Sequence, residues 1–410
     1  MRDSHRPLRG GVADFGARHA AHLRGLNIDR VLNIAYERPG TFTRAELIQA
    51  TGLSAPTVGS LTSHLIRTGV ITDLGTAPSR GGRRPALMEF NARHGFIAGI
   101  DLGPTRTRLA VADLRGQPLA REIIATPSAP DPEVMLRTIT TALRALMAQA
   151  GVPWERLVVV VAGTPGAVDL DTGMVGFAPN LPGWTQVPML KILQQELQTP
   201  VVIENDVNLA LLGEHWQGAA RGHDTCAFIF VGTGIGSAIL IDGTLHHGTT
   251  YMAGEIGVMC MAPEYVGQDF GSRGCLEMLA GLDALRARWP LASQEDPSRW
   301  FTALLEAERA GNPDAKRAIA ETAQLIGMAT ANVGAVVDPS VIILGGAMFA
   351  QAESLVDAVR AVVNQIARRP FEVVLSALGK EAPLAGCLLV GAMEARRHLR
   401  QKLKGARRVQ

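Results

Sequence analysis

The sequence predicts an α/β protein with a small helical head and a larger body built from two similar lobes. Three observations support this prediction. One order of strands and helices occurs twice, a similar glycine-containing loop follows a strand in each half, and charge is divided unevenly along the chain. At 410 residues the chain is long enough for two or three domains with substantial cores.

The charge division separates the head from the body. Residues 1–94 contain 13 arginines, no lysine and 7 acidic residues, which gives +6, whereas the remainder carries −4. A basic head on an acidic body indicates a polyanionic partner for the head alone. No apolar run is long enough for a membrane span, and the N-terminus lacks the apolar segment of a signal peptide. Four cysteines without paired spacing favour a reducing compartment, so we expect a cytoplasmic protein without a membrane partner.

The head has the spacing of a helix-turn-helix. Ile28–Tyr36 has a helical apolar face, and Thr43 with Glu46 forms a capping box at the start of a second helix. Ser54 caps a third helix and Pro56 lies in its first turn, where a missing N–H costs little. A short turn joins these two helices. The third helix has one apolar stripe that we expect to be buried: Val58, Leu61, Leu65 and Ile66.

An arginine-rich hairpin follows the helices. Residues 70–74 and 86–90 read as strands, and the loop 79–85 between them is typical of the wing of a winged helix, although a solvated basic loop is the alternative. Helix pair, wing and charge together predict a winged helix-turn-helix domain over residues 1–94 that binds duplex DNA. Its recognition helix would read the major groove and its arginines would contact phosphates and the minor groove. The predicted DNA-binding residues are Ser54, Ala55, Pro56, Thr57, Ser60, His64, Arg80, Arg83 and Arg84.

The body reads as a duplicated α/β unit over residues 95–410. Three strands over residues 95–124, a helix after Asp131 and buried strands at 157–162 and 201–204 form the first half. The same order recurs from Cys226 onward. Two such lobes enclose a cleft, where α/β proteins bind their ligands.

Two glycine-containing loops are candidates for that cleft. Gly232-Thr233-Gly234-Ile235-Gly236 joins two apolar strands, and Asp101-Leu102-Gly103-Pro104-Thr105 follows a strand far upstream. Glycines let bare backbone approach a ligand, and the threonines add hydroxyl donors. A structural bend explains the first loop alone equally well. Its similarity to the second loop favours two loops that face one cleft.

Polar residues end one of the buried strands. Glu204-Asn205-Asp206 closes the strand at 201–204, and strand ends of this kind face the ligand crevice. Asp206 there is suited to accept a proton from a hydroxyl that attacks a phosphate. The alternative is that Asp206 only caps the following helix. Asn180 lies in a loop that can reach the same cleft, although a turn asparagine needs no further role.

Five motifs in this order together resemble the ROK family of repressors and sugar kinases: the Asp-x-Gly-x-Thr loop, Glu204-Asn205-Asp206, the loop 232–236, Ala253-Gly254-Glu255-Ile256-Gly257 and Gly274-Cys275-Leu276-Glu277. The head resembles that of ROK repressors, which family kinases lack. The resemblance implies an actin-like, ribonuclease-H-like body that forms homodimers or homotetramers. Lobe one would span about 95–215 with a C-terminal helix at about 386–402, and lobe two about 216–385.

The resemblance also implies a sugar site. Carried over by position, the sugar ligands are Asn180, Asn205, Asp206, Glu255 and Glu277. Each carboxylate or amide can bind two adjacent hydroxyls.

The zinc module of the family is altered in this chain. Val258 stands where the family has a histidine, Gln268 and Phe270 replace the first two cysteines, and Cys275 alone remains. One thiolate cannot hold tetrahedral zinc, so we expect no metal site and no cofactor. Because the family histidine also contacts sugar, Val258 alters the expectation of which sugar binds.

The loop 101–105, which would bind phosphate in a kinase, also differs from the family pattern. Pro104 replaces a glycine that family kinases usually have, and proline has no N–H to offer a phosphate. Arg106 and Arg108 either bring charge to this loop or are solvated.

Three functional hypotheses follow. The first is a sugar-responsive regulator, which the resemblance implies is a repressor, whose dimeric body holds two heads over a palindromic operator. The second is an ATP-dependent sugar kinase with a DNA-binding head, in which Asp206 is the catalytic base. The third is a DNA-binding protein with an empty cleft, against which the retained carboxylates argue. For the kinase, the predicted nucleotide-binding residues are Asp101, Gly103, Thr105, Gly232, Thr233, Gly234 and Gly236.

Overall fold

A computed structural model of the protein divides into two compact units. The first unit contains the chain up to Phe96, the turn Asp113–Gln117 and the chain from Ala392 onward. The second contains Ile97–Ala112 and Pro118–Gly391. The structure describes residues 11–76, 85–128, 131–178, 180–181, 183–271, 273–296, 299–350 and 352–405.

Helices and a small antiparallel sheet form the N-terminal part of the first unit. In chain order these are α1 (Gly11–Glu37), β1 (Phe42–Thr43), α2 (Arg44–Thr51), α3 (Ala55–Arg67), β2 (Ile71–Thr76) and β3 (Ala86–Phe90). The strands lie in the order β1-β3-β2, with Phe42 opposite Met88 and Ile71 opposite Phe90. The predicted helices and both hairpin strands are therefore present.

Side-chain caps explain where α2 and α3 begin. The Thr43 hydroxyl accepts a hydrogen bond from the N–H of Glu46 at 3.3 Å, and the Glu46 carboxylate accepts one from the N–H of Thr43 at 2.7 Å. This reciprocal pair is the predicted capping box. Gly52 ends α2 with a φ of 68°, a left-handed conformation that glycine adopts without strain. The Ser54 hydroxyl then accepts from the N–H of Thr57 and starts α3.

Two details of the head differ from the sequence prediction. Helix α1 begins at Gly11 instead of near Ile28, because the apolar periodicity marks only the part of the helix that is buried. In α3, Ile66 is only half-buried and Thr62 is fully buried in the core. The Thr62 hydroxyl donates to the carbonyl of Val58 at 2.8 Å, so its burial leaves no polar group unsatisfied.

The turn Asp113–Gln117 contributes an arginine to the first unit. The Arg115 guanidinium donates to the carbonyls of Ala35 and Arg38 at 3.2 and 2.9 Å, at the C-terminal end of α1. It also lies 5.3 Å from the ring centre of Phe90. The Tyr36 hydroxyl donates to the Leu114 carbonyl at 3.1 Å. A cation at a helix C-terminus is favourable, so these contacts fix the end of α1.

The second unit begins with a five-stranded sheet, which forms lobe one. Its elements are β4 (Phe96–Leu102), β5 (Arg106–Asp113), β6 (Pro118–Ala125), α4 (Pro132–Gln149), β7 (Leu157–Thr164), β8 (Val168–Asp169), β9 (Met174–Phe177), β10 (Thr185–Val187), α5 (Met189–Leu197) and β11 (Val201–Asn205). The large sheet has the order β11-β7-β4-β5-β6, and β8 to β10 form a separate small sheet. No feature of the sequence described above predicted the small sheet.

Lobe two repeats this design. Its elements are α6 (Asp206–Gln217), β12 (Cys226–Val231), β13 (Ile235–Ile241), β14 (Thr244–Leu245), α7 (Cys275–Ala280), α8 (Leu282–Arg288), α9 (Trp300–Arg309), α10 (Pro313–Val337), β15 (Val341–Gly345), α11 (Glu353–Ile366) and β16 (Glu372–Leu375). The helix α12 (Ala382–Gly405) follows. The sheet order is β14-β13-β12-β15-β16. Numbered within each lobe, both large sheets read 3-2-1-4-5, which confirms the predicted duplication.

Helix α6 packs in the core of lobe two and against α12. Val207 and Leu211 of α6 lie in one cluster with Phe228 of β12. A Cβ atom at Gly386 of α12 would come within 1.9 Å of the Leu209 carbonyl oxygen, so only glycine permits this approach. The C-terminal helix is longer than the predicted 386–402. Its residues up to Gly391 pack against β4 of lobe one, where the Cys387 thiol donates to the Ile100 carbonyl at 3.5 Å, and its residues from Ala392 belong to the first unit. In the described part of the chain, no helix combines the length and apolarity needed to cross a membrane.

Glu214 is a fully buried carboxylate that holds the end of α6. It accepts hydrogen bonds from the Ser376 hydroxyl and from the N–H groups of Ala219, Ala377 and Leu378. Glu214→Ala leaves all four donors unpaired, so we expect a loss of about 3 kcal/mol or more in the free energy of unfolding. Denaturant titration measures this loss.

The matched control is Glu196→Ala, which removes a carboxylate from a surface pair with Arg137. It should cost less than about 1 kcal/mol. Equal losses for the two variants would contradict the structural role of Glu214.

Candidate functional site

A cleft of about 660 Å³ lies in the second unit where the carboxyl ends of the two large sheets meet. Its walls come from both lobes. All five predicted sugar ligands line this cleft. They are Asn180, Asn205, Asp206, Glu255 and Glu277.

Asn205 is held by hydrogen bonds at the junction of β11 and α6. Its side-chain oxygen accepts from the N–H groups of Val207 and Asn208 at 2.9 and 3.1 Å. Its amide nitrogen donates to the Gly166 carbonyl at 3.0 Å. Asn205 is therefore the N-cap of α6, the position that Asp206 would take in the alternative stated above, and Asp206 adds a hydrogen bond to the Val207 N–H.

Asp206 is the first residue of α6 and carries a perturbed carboxyl group. Burial, together with the nearby Asp101 and Glu255 carboxylates, raises the pKa of Asp206 to about 7, and burial has the largest effect. One of its oxygens accepts from the N–H of Val207 at 2.9 Å, which opposes the increase. A carboxyl group with this pKa changes its charge near neutral pH and suits either a hydrogen-bond acceptor or a general base.

Asp101 ends β4 beside Asp206 and is paired with an arginine. An Arg108 nitrogen lies 3.2 Å from an Asp101 carboxylate oxygen, and Arg108 is also 3.7 Å from Glu381. Burial raises the pKa of Asp101 to about 6, although the Arg108 guanidinium lowers it. The alternative that both strand arginines are solvated is wrong for Arg108, whose side chain is 16% exposed, while Arg106 is exposed.

The loop after β4 has few N–H groups left for a phosphate. The N–H of Gly103 donates to the Arg106 carbonyl at 3.2 Å, and Pro104 has no N–H. Pro104 lines the cleft. Three of the predicted nucleotide-binding residues line the same cleft: Thr233, Gly234 and Gly236. The other four do not line it: Asp101, Gly103, Thr105 and Gly232.

Glu255 is positioned by the glycine that precedes it. Gly254 has a φ of 92°, and a Cβ there would lie 2.0 Å from the Ser237 carbonyl oxygen. The Gly254 carbonyl accepts hydrogen bonds from the Ser237 N–H at 2.7 Å and its hydroxyl at 2.9 Å. This contact fixes Glu255 against β13. Burial and the nearby Glu277 carboxylate raise the pKa of Glu255.

Glu277 meets the second glycine loop and an arginine that the sequence analysis missed. One Glu277 oxygen accepts from the N–H of Ile235 at 3.0 Å, and the other lies 3.6 Å from Arg273. Arg273 lines the cleft and also pairs with Asp283 at 2.8 Å. Its place four residues before Glu277 on the chain was the available signal. Burial raises the pKa of Glu277, and the N–H of Ile235 and Arg273 oppose this increase.

The four positions of the altered zinc module differ in exposure and in their contacts. Val258 lines the cleft and is 64% exposed, and Cys275 is buried at the start of α7. The Gln268 amide donates to the Glu264 carbonyl at 2.7 Å, and Phe270 packs edge-on against Tyr265. No group of three potential metal ligands occurs among the described residues.

The predicted DNA-binding residues of the head fall into three groups. Ser54, Ala55, Pro56 and Ser60 are exposed on α3 or at its cap, and Thr57 and His64 are half-buried. Arg80, Arg83 and Arg84 lie outside the described residues.

The cleft is rich in hydrogen-bond acceptors. Three carboxyl groups, Asp206, Glu255 and Glu277, face it together with the amides of Asn180 and Asn205. Carboxylates only accept hydrogen bonds, so the complementary ligand supplies several donors. A compact polyhydroxy compound meets this requirement.

Comparison with known proteins identifies the family. Residues 97–392, more than half of the chain, match the sequence profile of the ROK family. The chain belongs to the ROK family. A xylose repressor from Caldicellulosiruptor bescii is 29% identical, over 84% of this chain and 90% of its own length. A glucokinase from Streptomyces coelicolor is 30% identical over 71% of this chain and 96% of its own length.

A solved ROK transcriptional regulator, a homologue of the MLC protein of E. coli, has the same fold. It superimposes with a TM-score of 0.76 at 21% identity and covers 94% of this chain and 100% of its own. The actin-like pair of sheets expected from the resemblance is therefore the fold of this ROK domain.

Proposed function

We propose that the protein is a sugar-responsive, DNA-binding transcriptional regulator, and specifically a repressor. The observation that carries the proposal is the presence in one chain of an exposed, capped helix pair and an acceptor-rich cleft in a ROK domain. The xylose repressor similarity supports it, because that similarity extends over more of the chain than the ROK profile does.

The head is proposed to bind DNA as a winged helix-turn-helix. Helix α3 presents small residues, Ala55 and Ser60, on its exposed side, which suits close approach to base edges. Strands β2 and β3 bracket the arginine-rich segment 79–85, the proposed wing. Two heads of a homodimer would bind the half-sites of a palindromic operator, and the regulator would work in the cytoplasm.

The cleft is proposed to bind a sugar through the five lining residues. Hydroxyl groups donate to the Asp206, Glu255 and Glu277 carboxylates, and the amides of Asn180 and Asn205 fix orientation. We propose that no zinc takes part, because Val258 offers no ligand atom at the family's histidine position.

A sugar kinase is the second candidate. The Asp206 pKa of about 7 suits a general base, and glucokinases are among the relatives. The phosphate side argues against turnover. Asp101 is already paired with Arg108, and the loop 101–105 lacks free N–H groups at Gly103 and Pro104.

The test incubates the purified protein with ATP, magnesium and a panel of hexoses and pentoses that includes D-xylose and D-glucose. We expect at least one sugar to raise the melting temperature, and no sugar-dependent formation of ADP. Sugar-dependent ADP formation would favour the kinase. Failure of every sugar to bind would contradict the sensor and leave a DNA-binding protein with an empty cleft.

A further inference from the structure

The loop of residues 246–253 joins the two walls of the cleft. It follows β14 in lobe two and leads directly to Gly254 and Glu255. Its own ends are tied together, since the N–H of Ala253 donates to the His247 carbonyl at 3.2 Å. Two of its side chains contact lobe one. We call this segment the bridging loop.

The first contact joins His247 to Glu204. Glu204 lies next to Asn205 in β11 and is 8% exposed. One of its carboxylate oxygens accepts hydrogen bonds from the Asn205 N–H and the Asn208 amide, both at 2.9 Å. The other oxygen is 2.8 Å from the Nε2 atom of His247. Two of the three hydrogen bonds to this carboxylate hold the chain around Asn205. The third, from His247, comes from lobe two.

The second contact joins Tyr251 to Asp171. The Tyr251 side chain lies near Asp171, in the turn between β8 and β9 of lobe one, and interaction with this carboxylate raises the pKa of Tyr251. Tyr251 has a φ of 59°, a left-handed conformation that a bulky residue rarely adopts. Its ring also packs edge-on against His247, with ring centres 6.3 Å apart. The backbone strain indicates that this loop is held in one shape by its contacts.

We propose that His247 is a positioning residue for the sugar site. This inference rests on the proposed sugar-binding function. The hydrogen bond from His247 Nε2 to Glu204 holds the Asn205-Asp206 side of the cleft and the Glu255 side at a fixed separation. His247 does not line the cleft itself, so it acts through the residues it holds.

The physical reason is preorganisation. Glu204 sets the backbone at Asn205, and the bridging loop sets the backbone before Glu255. A ligand that must bridge these two walls binds tightly only if their separation is already correct. Hydrogen bonding to Glu204 raises the pKa of His247, which favours the charged form of the pair. The neutral imidazole retains an N–H donor when its Nε2 tautomer is present, so the bond needs the donor and not only the charge.

The variants separate the donor position from the presence of a polar side chain. Glutamine places an amide N–H near the position of imidazole Nε2, whereas asparagine reaches only the position of Nδ1. We therefore expect His247→Gln to bind sugar within about threefold of the parent and His247→Asn to bind about tenfold more weakly. His246→Asn is the matched control. His246 is the exposed neighbour on the same loop, and its change should leave affinity unaltered.

Calorimetry measures the affinity of each variant for D-xylose and D-glucose. Hydrogen–deuterium exchange of the ligand-free proteins provides a readout that needs no sugar. His247→Asn should increase exchange in residues 246–255, whereas His247→Gln and His246→Asn should not.

The outcomes distinguish this inference from the function on which it rests. The parent protein could bind neither sugar while the exchange results follow the expected pattern. That outcome would confirm the contact between His247 and Glu204 but contradict the sugar function for these two sugars. The positioning role, which depends on that function, would then be overturned. If the parent binds sugar and all three variants bind equally, His247 has no positioning role. Equal weakening by His247→Gln and His247→Asn would also overturn the proposal, because it would show that the Nε2 donor is not what matters.

Discussion

Asp206→Asn should weaken sugar binding about tenfold to a hundredfold at pH 8 and at the same time stabilise the ligand-free protein. The first effect follows from losing a charge-assisted hydrogen bond worth about 1.5–3 kcal/mol. The second follows from the pKa of about 7. Because folding raises this pKa, the folded protein holds more protons than the unfolded chain between about pH 4 and pH 7. Its stability therefore falls as pH rises through that window.

Asparagine keeps the acceptor for the Val207 N–H but carries no charge to bury. We expect the free energy of unfolding at pH 8 to increase by on the order of 2 kcal/mol, and the difference to vanish near pH 4. Calorimetry with sugar and denaturant titration at both pH values measure the two effects. Asp314→Asn is the control, since Asp314 is an exposed acid in the first turn of α10. Unchanged sugar affinity and unchanged stability in Asp206→Asn would contradict the proposed role of this carboxyl group.

Arg83→Ala combined with Arg84→Ala should weaken operator binding by about 3 kcal/mol and leave the fold intact. These arginines belong to the proposed wing, so each substitution removes a contact with a phosphate or with the minor groove. The logarithmic salt dependence of binding should become shallower by about two units. Fluorescence anisotropy over a salt series measures affinity and slope together.

Arg317→Ala combined with Arg137→Ala is the matched control for the arginine pair. Both are exposed residues of the second unit, and they pair with Asp314 and Glu196. This double variant removes the same charge away from the head, so operator affinity should stay close to that of the parent. Equal weakening by both double variants would indicate a general charge effect and contradict the wing assignment.

Local signals allowed much of the fold to be predicted. The capping box at Thr43 and the serine before α3 are encoded within a few residues, and both appear in the structure as expected. Continuous apolar runs identified β7 and β11 because these strands are buried on most positions. The small sheet of β8 to β10 escaped prediction, because its strands have two to four residues and show no clear periodicity.

The candidate site shows the same division. Motifs predicted the residues that line the cleft, but not the partners that orient them. Arg108 pairs with Asp101 seven residues earlier because β4 and β5 are adjacent in the sheet, and His247 meets Glu204 across 43 residues. Asn205 is the helix cap because its side chain accepts from the N–H groups of both Val207 and Asn208, whereas Asp206 accepts only from that of Val207. Such pairings depend on tertiary structure, which no local pattern specifies.

Coupling between sugar binding and operator binding distinguishes a regulator from a DNA-binding protein that ignores sugar. DNA fragments retained by the purified protein from a genomic digest provide the operator, and anisotropy then follows its affinity as sugar is added. We expect a sugar that binds the protein to change operator affinity by at least about tenfold, and operator DNA to change sugar affinity by the same factor. Operator affinity that stays constant at saturating sugar, with binding of both ligands demonstrated on the same protein, would contradict it.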